Sequence, residues 1–412
     1  MNTNIFIAKT LWKKRPGKKG LSNGSSVIAG VSVAISILVM ILAVAISDGF
    51  KREIKNKATG FSGEILLHSP GVDVTTDQYP VNATPSFMDS LISMGNVSSV
   101  TSYAYRTGII KKEDAIQGVL LKGVDDSFDW SFFETSLSEG QLPEISDTLK
   151  VPQLMMSKRL SGMLGFSVGD RVLVYFIDEA VKVRQFVLSG IYDAQLEDLD
   201  QSLLVTGLSF VQDVNGWDGN EVSGLEVKLL NHKFLDRSAS EIESLIENAP
   251  VDESYFVTKV DELFPHLFDW LRLLDFNVLV IMLLMIFVAG FNMISGLLIL
   301  LFEKTSMIGV LKSLGMRDSA IHKIFLSRAM VLVFWGMIAG NGIAIVLARV
   351  QSLYKLIPLD PANYFVDHVP IHMNWGKLLV LNIASVVLIA MLLMIPSLFI
   401  SKVSPDKTLR VK

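Results

Sequence analysis

Four apolar runs set the plan of this chain: Val27–Ser47, Phe276–Phe302, Ala329–Ala348 and Leu378–Ile400 contain no Asp, Glu, Lys or Arg. About twenty apolar residues suffice for a helix to cross a bilayer. A charge at mid-helix costs about 2.5–3.5 kcal/mol, while each Leu, Ile, Phe or Val contributes only roughly 0.3–0.6 kcal/mol. None of the four runs carries such a charge, so all four are expected to insert. Between the first and second runs the pattern changes. Glu64–His68, Ser99–Ile110, Ala115–Val124, Arg171–Ile177, Val183–Ile191, Ser202–Val205 and Gly224–Leu230 read as extended, whereas Pro85–Met94, Ser157–Leu164 and Ser238–Glu247 read as helical. The fold class that follows is a membrane α-helical protein with four transmembrane helices and a large α+β domain between helices 1 and 2. A middle piece, roughly Gly118 to Asn220, reads as an insertion into a βαβ-like unit made by the flanks.

Two junctions extend this pattern. After Phe302 the chain continues Glu303-Lys304-Thr305-Ser306-Met307-Ile308-Gly309-Val310-Leu311-Lys312-Ser313-Leu314-Gly315. Met307, Val310, Leu311 and Leu314 recur at helical spacing, and Gly315 stands where a C-terminal cap belongs. A short amphipathic helix just outside the membrane is expected there, suited to passing movement between the bilayer and something beside it. At the end of the first run, Asp48 to Lys57 keeps helical character, with Phe50 and Ile54 one turn apart. That span is expected to protrude as a stalk. It is longer than the 7–15 residues of a signal-peptide core, so a retained span is expected over a cleaved leader.

Charge orients the plan. Residues 1–24 hold six basic residues and no acid, and Ile5, Phe6, Leu11 and Trp12 give the segment an apolar side that suits the inner leaflet. Segment 303–328 carries Lys304, Lys312, Arg317, Lys323 and Arg328, the tail carries Lys402, Lys407, Arg410 and Lys412, and the 350–376 loop has Lys355 alone. By the positive-inside rule both termini and the 303–328 segment face the cytoplasm, and the domain faces outward. Lys51, Arg52, Lys55 and Lys57 run against the rule, which weakens for long exported domains. Residues 50–269 hold 34 acidic and 18 basic residues, a net of −16, so a nucleic-acid-binding basic domain is not expected. The expected segments are 1–24, an amphipathic cytoplasmic stretch; 25–48, the first span; 49–270, the outward domain with its stalk; 271–302, the second span; 303–323, the cytoplasmic helix and loop; 324–349, the third span; 350–376, an outward loop; 377–400, the fourth span; and 401–412, a cytoplasmic tail.

Chemistry is sparse. There is no cysteine, which excludes disulfides, thiolate metal sites and cysteine nucleophiles. Pro16-Gly17-Lys18-Lys19-Gly20 lacks both the spacing and the preceding strand of a phosphate loop, so ATP hydrolysis by this chain is not expected. His368 and His372 stand four apart beside Asp367, but Pro370 between them argues against a helical metal pair. Glu197, Asp198 and Asp200 read as a solvated acidic run. No nucleophile, base and orienting acid assemble; neither catalysis nor a bound cofactor or metal is expected. Gly336 and Gly340 form a GxxxG pair, for packing within the bundle or for a dimer contact. Met282, Met285 and Met293, with Met40, read as core or as an adaptable greasy surface.

A family resemblance rests on five stretches. Ile7-Ala8-Lys9, Asp48-Gly49-Phe50-Lys51-Arg52-Glu53-Ile54, the Glu303–Gly315 segment, Tyr364-Phe365-Val366-Asp367 with Pro370 and Trp375, and Pro396, Pro405, Leu409 and Arg410 resemble the motifs of ABC-transporter permeases of the FtsX-like/MacB-like superfamily. The similarity is greatest to lipoprotein-releasing LolC/LolE-type subunits. Pro396-Ser397 departs from the family's usual Pro-Ala, and no long insertion stands between Val174 and Val187, so the chain resembles LolE or a related permease whose partner supplies the contact with the carrier. The resemblance implies a MacB-like periplasmic core over 49–270 and an inner-membrane location in a Gram-negative-type bacterium. It implies that Glu303, Lys304, Met307, Gly309, Leu311, Lys312, Leu314 and Gly315 form a coupling helix for a cytosolic ABC ATPase dimer, which would itself bind ATP and Mg. Met40, Val44, Ser47, Phe50, Phe276, Met282 and Met285 become candidates to face lipid or substrate. The implied partners are a second permease subunit, identical or related, membrane lipids, a lipoprotein substrate and a periplasmic carrier. Two alternatives keep the architecture: a MacB-like exporter of peptides or drugs, and an FtsX-like transmitter that regulates a cell-wall hydrolase.

Overall fold

Helix α1 runs unbroken from Leu21 to Ser62. At 1.5 Å per residue its 42 residues reach about 63 Å, roughly twice the hydrocarbon thickness of a bilayer, so it outruns its apolar run. The computed structural model describes residues 21–70, 79–113, 115–146, 151–177, 181–248 and 255–397, with the side chains of 21–26, 197–198 and 396–397 excepted. The amphipathic stretch up to residue 20, with Ile7-Ala8-Lys9, and the tail with Pro405, Leu409 and Arg410 lie outside the described residues. The described chain divides into two compact units: residues 21–51, 270–358 and 368–397, and residues 52–269 with 359–367.

The second unit is built on one sheet. Strand β1 (Ile65–His68) and the short β2 (Val81–Asn82) lead to helix α2 (Pro85–Ile92), which starts with proline at its first position and buries Phe87 and Leu91, one turn apart. Strands β3 (Val97–Lys112) and β4 (Ala115–Val124) form a long hairpin. There follow α3 (Ser131–Ser136), β5 (Leu137–Gly140), β6 (Gln153–Ser157), α4 (Lys158–Leu164), β7 (Arg171–Phe176), β8 (Lys182–Tyr192), α5 (Glu197–Asp200), β9 (Leu203–Gly207) and α6 (Leu208–Asn215). The chain then returns through β10 (Glu221–Val222), β11 (Gly224–Leu229), α7 (Leu235–Asn248), β12 (Phe256–Lys259) and α8 (Val260–Leu263). Strand order is β12-β1-β11-β3-β4-β9-β6-β8-β5, with β7 pairing β3 and β8.

The two ends of this sheet have different origins. The flanking strands β1, β3, β11 and β12 occupy one end, with every neighbouring pair antiparallel. Taken with α2 and α7 they make a β-α-β-β-α-β arrangement of split βαβ units. The strands of residues 115–207 occupy the other end and enter through the β3–β4 hairpin. The middle piece is therefore an insertion in sequence that remains one sheet with its host.

The junction of the two ends is charged and dry. Lys122 on β4 and Glu226 on β11 form an ion pair at 2.5 Å, with both side chains buried. The Lys122 ammonium also donates to the carbonyl oxygen of Phe61 in the last turn of α1. That turn carries no basic residue of its own, so a strand supplies the cation that suits a helix C-terminus. Burial pushes the lysine down and the glutamate up, and the charge of each opposes that shift in the other.

Asp200 corrects an expectation. Its side chain is buried, not solvated: one carboxylate oxygen accepts from Leu196 N at 3.1 Å, while the other lacks a hydrogen-bond partner. Glu197 and Asp198 have side chains outside the described residues. Burial, helped by Asp193, pushes the Asp200 carboxyl up to about 6 against the pull of backbone hydrogen bonds and Lys57. With a folded value above the unfolded one, the folded state keeps a proton that the unfolded chain sheds between about pH 4 and 6. Stability therefore falls through that window as pH rises, by roughly 1–3 kcal/mol. Asp200→Asn should melt higher than the wild type at pH 7 and equal to it near pH 4; an equal gain at both pH values would contradict this.

The first unit is helical. Helix α9 (Pro265–Glu303), α10 (Thr305–Ser313), α11 (Asp318–Tyr354) and α13 (Trp375–Ser397) join α1, while α12 (Pro361–Tyr364) clusters with the sheet unit. Four of these helices, α1, α9, α11 and α13, are long and apolar enough to cross a membrane. Their shared core includes Val33, Ile37, Met40, Met293, Leu297, Phe325, Val333 and Leu393. Polar groups tie the spans where no water competes. Asn341 and Asn382 exchange amide hydrogen bonds at 2.8 and 3.0 Å, and Asn292 donates to Ser32 at 2.5 Å.

Candidate functional site

The site is the break between α9 and α11. Lys304 is the single non-helical residue between α9 and α10; its N–H is shared by the carbonyls of Leu300 and Leu301. The Thr305 hydroxyl donates to the carbonyls of Leu301 and Phe302, at 3.0 and 2.7 Å. Such back-bonding competes with the helical ladder and lets the chain turn there. Helix α10 ends in a full Schellman motif. Gly315, with φ of +82°, donates to Lys312 O at 2.9 Å, and Met316 N donates to Leu311 O at 3.0 Å. Leu311 and Met316 both pack on the helical core, the apolar contact that this motif favours.

The inward face of α10 differs from the expected one. Ile308 and Gly309 are buried and Met307 and Leu311 half-buried, whereas Val310 is 42% and Leu314 78% exposed. Periodicity identifies the helix, and only its packing sets which side turns inward. The apolar pair Val310 and Leu314 is thus presented outward, beside the exposed Glu303, Ser306 and Ser313. Lys312 turns inward to pair with Asp318 at 3.0 Å, clamping α10 onto the first turn of α11. Lys304 is half-buried.

At the opposite end of the first span a second constellation forms. Asp48 pairs with Lys377 at 2.5 Å, and Ala45 O accepts from His372 N at 3.0 Å. A Cβ on Gly49 would sit 2.2 Å from Pro370 O, so only glycine permits this approach. Phe50 meets Trp270 edge-on at 5.5 Å. Asp48-Gly49-Phe50 and the stretch around Pro370, remote in sequence, are one packing site. His368 and His372 sit in non-helical chain, His368 in a β-bridge with Pro358.

The GxxxG pair is used inside the molecule. Cβ atoms at Gly336 and Gly340 would stand 2.8 Å from Gly30 O and 2.5 Å from Ala34 O of α1. Gly340→Leu should lower the melting temperature, at a cost of about 1–3 kcal/mol for overpacking. A thermal melt in detergent checks this, and an unchanged midpoint would show that α1 and α11 pack less closely than described.

Residues 279–405, which contain the whole α9–α10–α11 junction, match the FtsX-like permease C-terminal model. The chain carries an FtsX-like permease domain. Nearly its full length is similar to lipoprotein-releasing permeases. The lipoprotein-releasing system transmembrane protein LolC of Xylella fastidiosa (strain Temecula1) is 20% identical over 95% of each chain. LolE of Haemophilus influenzae is 21% identical over 99% of each. Among solved structures, the periplasmic region of MacB from Actinobacillus actinomycetemcomitans is 15% identical with a TM-score of 0.34, covering 51% of this chain and 94% of that one.

Several residues expected to face lipid or substrate are turned inward in this chain. Met40 is 1% exposed, and Ser47 and Phe50 are likewise buried, because these positions lie on the packed side of α1. Val44, Met282 and Met285 are half-buried, and Phe276 is exposed. The open face of α9 is instead Val280, Leu283, Leu284, Phe287, Val288 and Phe291, all exposed. A helix apolar all round gives no sequence signal for which side stays open.

Proposed function

We propose that the chain is the transmembrane subunit of an ABC-type transporter that lifts lipoproteins from the outer leaflet of the inner membrane and passes them to a periplasmic carrier. A separate pair of ATPase subunits, which bind ATP and Mg, would grip α10 from the cytoplasm, and a second permease would complete the channel. The observation that carries this reading is the end-to-end similarity to LolC and LolE, in which spans and outward domain match together. The physics supports a powered step. Each acyl CH₂ buried in a membrane contributes about 0.8 kcal/mol, so a multiply acylated protein does not leave unaided.

Orientation follows from the charge pattern, with both termini in the cytoplasm and the sheet unit in the periplasm. The lysines that run against the positive-inside rule are occupied within the protein. Lys51 pairs with Asp275, Lys55 stands 6.0 Å from the Phe268 ring centre, and Lys57 is buried. The test is depletion in the native cell. Outer-membrane lipoproteins should accumulate in the inner membrane. Correct sorting with lost export of peptides or drugs would favour the MacB-like alternative, and correct sorting with division defects the FtsX-like one.

A further inference from the structure

The 359–367 segment lies between the third and fourth spans, yet it clusters with the sheet unit. Its fold is self-contained. Asp360 caps α12 by accepting from Ala362 N at 3.1 Å and from Asn363 Nδ2 at 2.9 Å, and Leu359 N closes the segment on Asp367 O at 2.8 Å. Helix α12 then ends on Phe365, a non-glycine residue in the left-handed region at φ of +60°. Phe365 packs against the core cluster that includes Phe61, Phe133 and Tyr192, and its carbonyl meets α1.

What receives that carbonyl is a lysine. Lys57, 7% exposed, donates to Phe365 O at 2.8 Å and to Gln195 Oε1 at 2.9 Å. Gln195 is also left-handed, at φ of +60°. Two strained backbone positions, on segments about 170 residues apart, thus converge on one ammonium from the helix that leaves the first span. Strain of this kind persists where surrounding contacts over-determine it, and a buried ammonium with two well-placed acceptors supplies such contacts.

We propose that Lys57 is a positioning residue that pins the loop between the third and fourth spans to the outward domain, so that α1, this loop and the 193–200 segment move as one body. The domain is then driven through three chain connections: α1, α9 and the pinned loop. The joint itself stands independently of the cargo; its use in lipoprotein release rests on the function proposed above.

The test uses the full chain in lipid with hydrogen exchange read by mass spectrometry. Lys57→Met keeps the length and apolar stem but removes the donors. Amides of 359–367 and 193–196 should exchange at least about tenfold faster, while β4 and β9 stay as in the wild type. Lys57→Arg should restore protection. Unchanged protection of 359–367 in Lys57→Met overturns the proposal. So does faster exchange spread evenly over the sheet unit, since the lysine would then be an ordinary core residue. A parallel arm reads lipoprotein sorting at equal membrane levels, with loss expected for Lys57→Met and recovery for Lys57→Arg. If the wild-type chain itself plays no part in sorting, the function proposed above fails, and the exchange arm still decides the joint.

Discussion

Lys122→Met should destabilise the sheet unit by about 3–5 kcal/mol, the cost of leaving one member of a buried ion pair without its partner. Glu226 is 1% exposed and would be left without its cation beside Tyr103 and Tyr105. Glu226→Leu should cost a comparable amount, because Lys122 would keep only the Phe61 carbonyl and the face of Phe128, 5.1 Å away. The double variant Lys122→Met/Glu226→Leu should recover most of the loss, since burying two charges is itself expensive and apolar replacements of similar volume are often neutral. Residual destabilisation of about 1 kcal/mol is expected from the Phe61 carbonyl, which loses its donor. Urea unfolding of the full chain in detergent measures all four corners of the cycle. A coupling energy above about 2 kcal/mol supports the pairing, whereas a double variant as damaged as the sum of its parents would mean that the two residues act apart.

That pair also shows where sequence reading stops. The spans were legible because a run without charge has few other fates, and the long strands because β-branched and aromatic residues recur there. Ala115–Val124 was identified as a strand, but nothing in it announces that Lys122 points inward to meet residue 226. Long-range partners are a property of topology. Strand β6, Gln153-Leu-Met-Met-Ser, escaped notice because methionine and leucine favour helices as readily as strands. Helix α6, Leu208–Asn215, was missed for the converse reason: Phe210 and Val211 look extended until Val211 and Val214 are seen to share a buried face. Asp200 was misplaced because a charge run is usually wet, and only its packing reveals otherwise. At the junction the cap is readable from local chemistry, in Gly315, whereas the break at Lys304 and Thr305 is not. Nor is the phase of α10, because it depends on where the neighbouring helices lie.

That phase makes the second large prediction specific. Gly309→Pro places a residue without an N–H, and with a ring that clashes with the carbonyl four residues earlier, in the middle of a nine-residue helix. The cost of about 3 kcal/mol or more exceeds what so short a helix recovers from its own hydrogen bonds. The four spans do not depend on α10 for their apolar content, so the protein should insert at normal levels. On the function proposed above, the ATPase should no longer co-purify, and lipoproteins should remain in the inner membrane. Leu314→Asp tests the surface and leaves the helix alone, because Leu314 is 78% exposed and touches little within the chain. A docking anchor of that kind is worth about 2 kcal/mol on truncation, a loss of roughly thirtyfold in partner affinity. Ile308→Ala should instead lower the melting temperature, since Ile308 belongs to the buried core. Full partner retention by both Gly309→Pro and Leu314→Asp would remove α10 from the coupling pathway and reduce it to an anchor for the loop between the second and third spans.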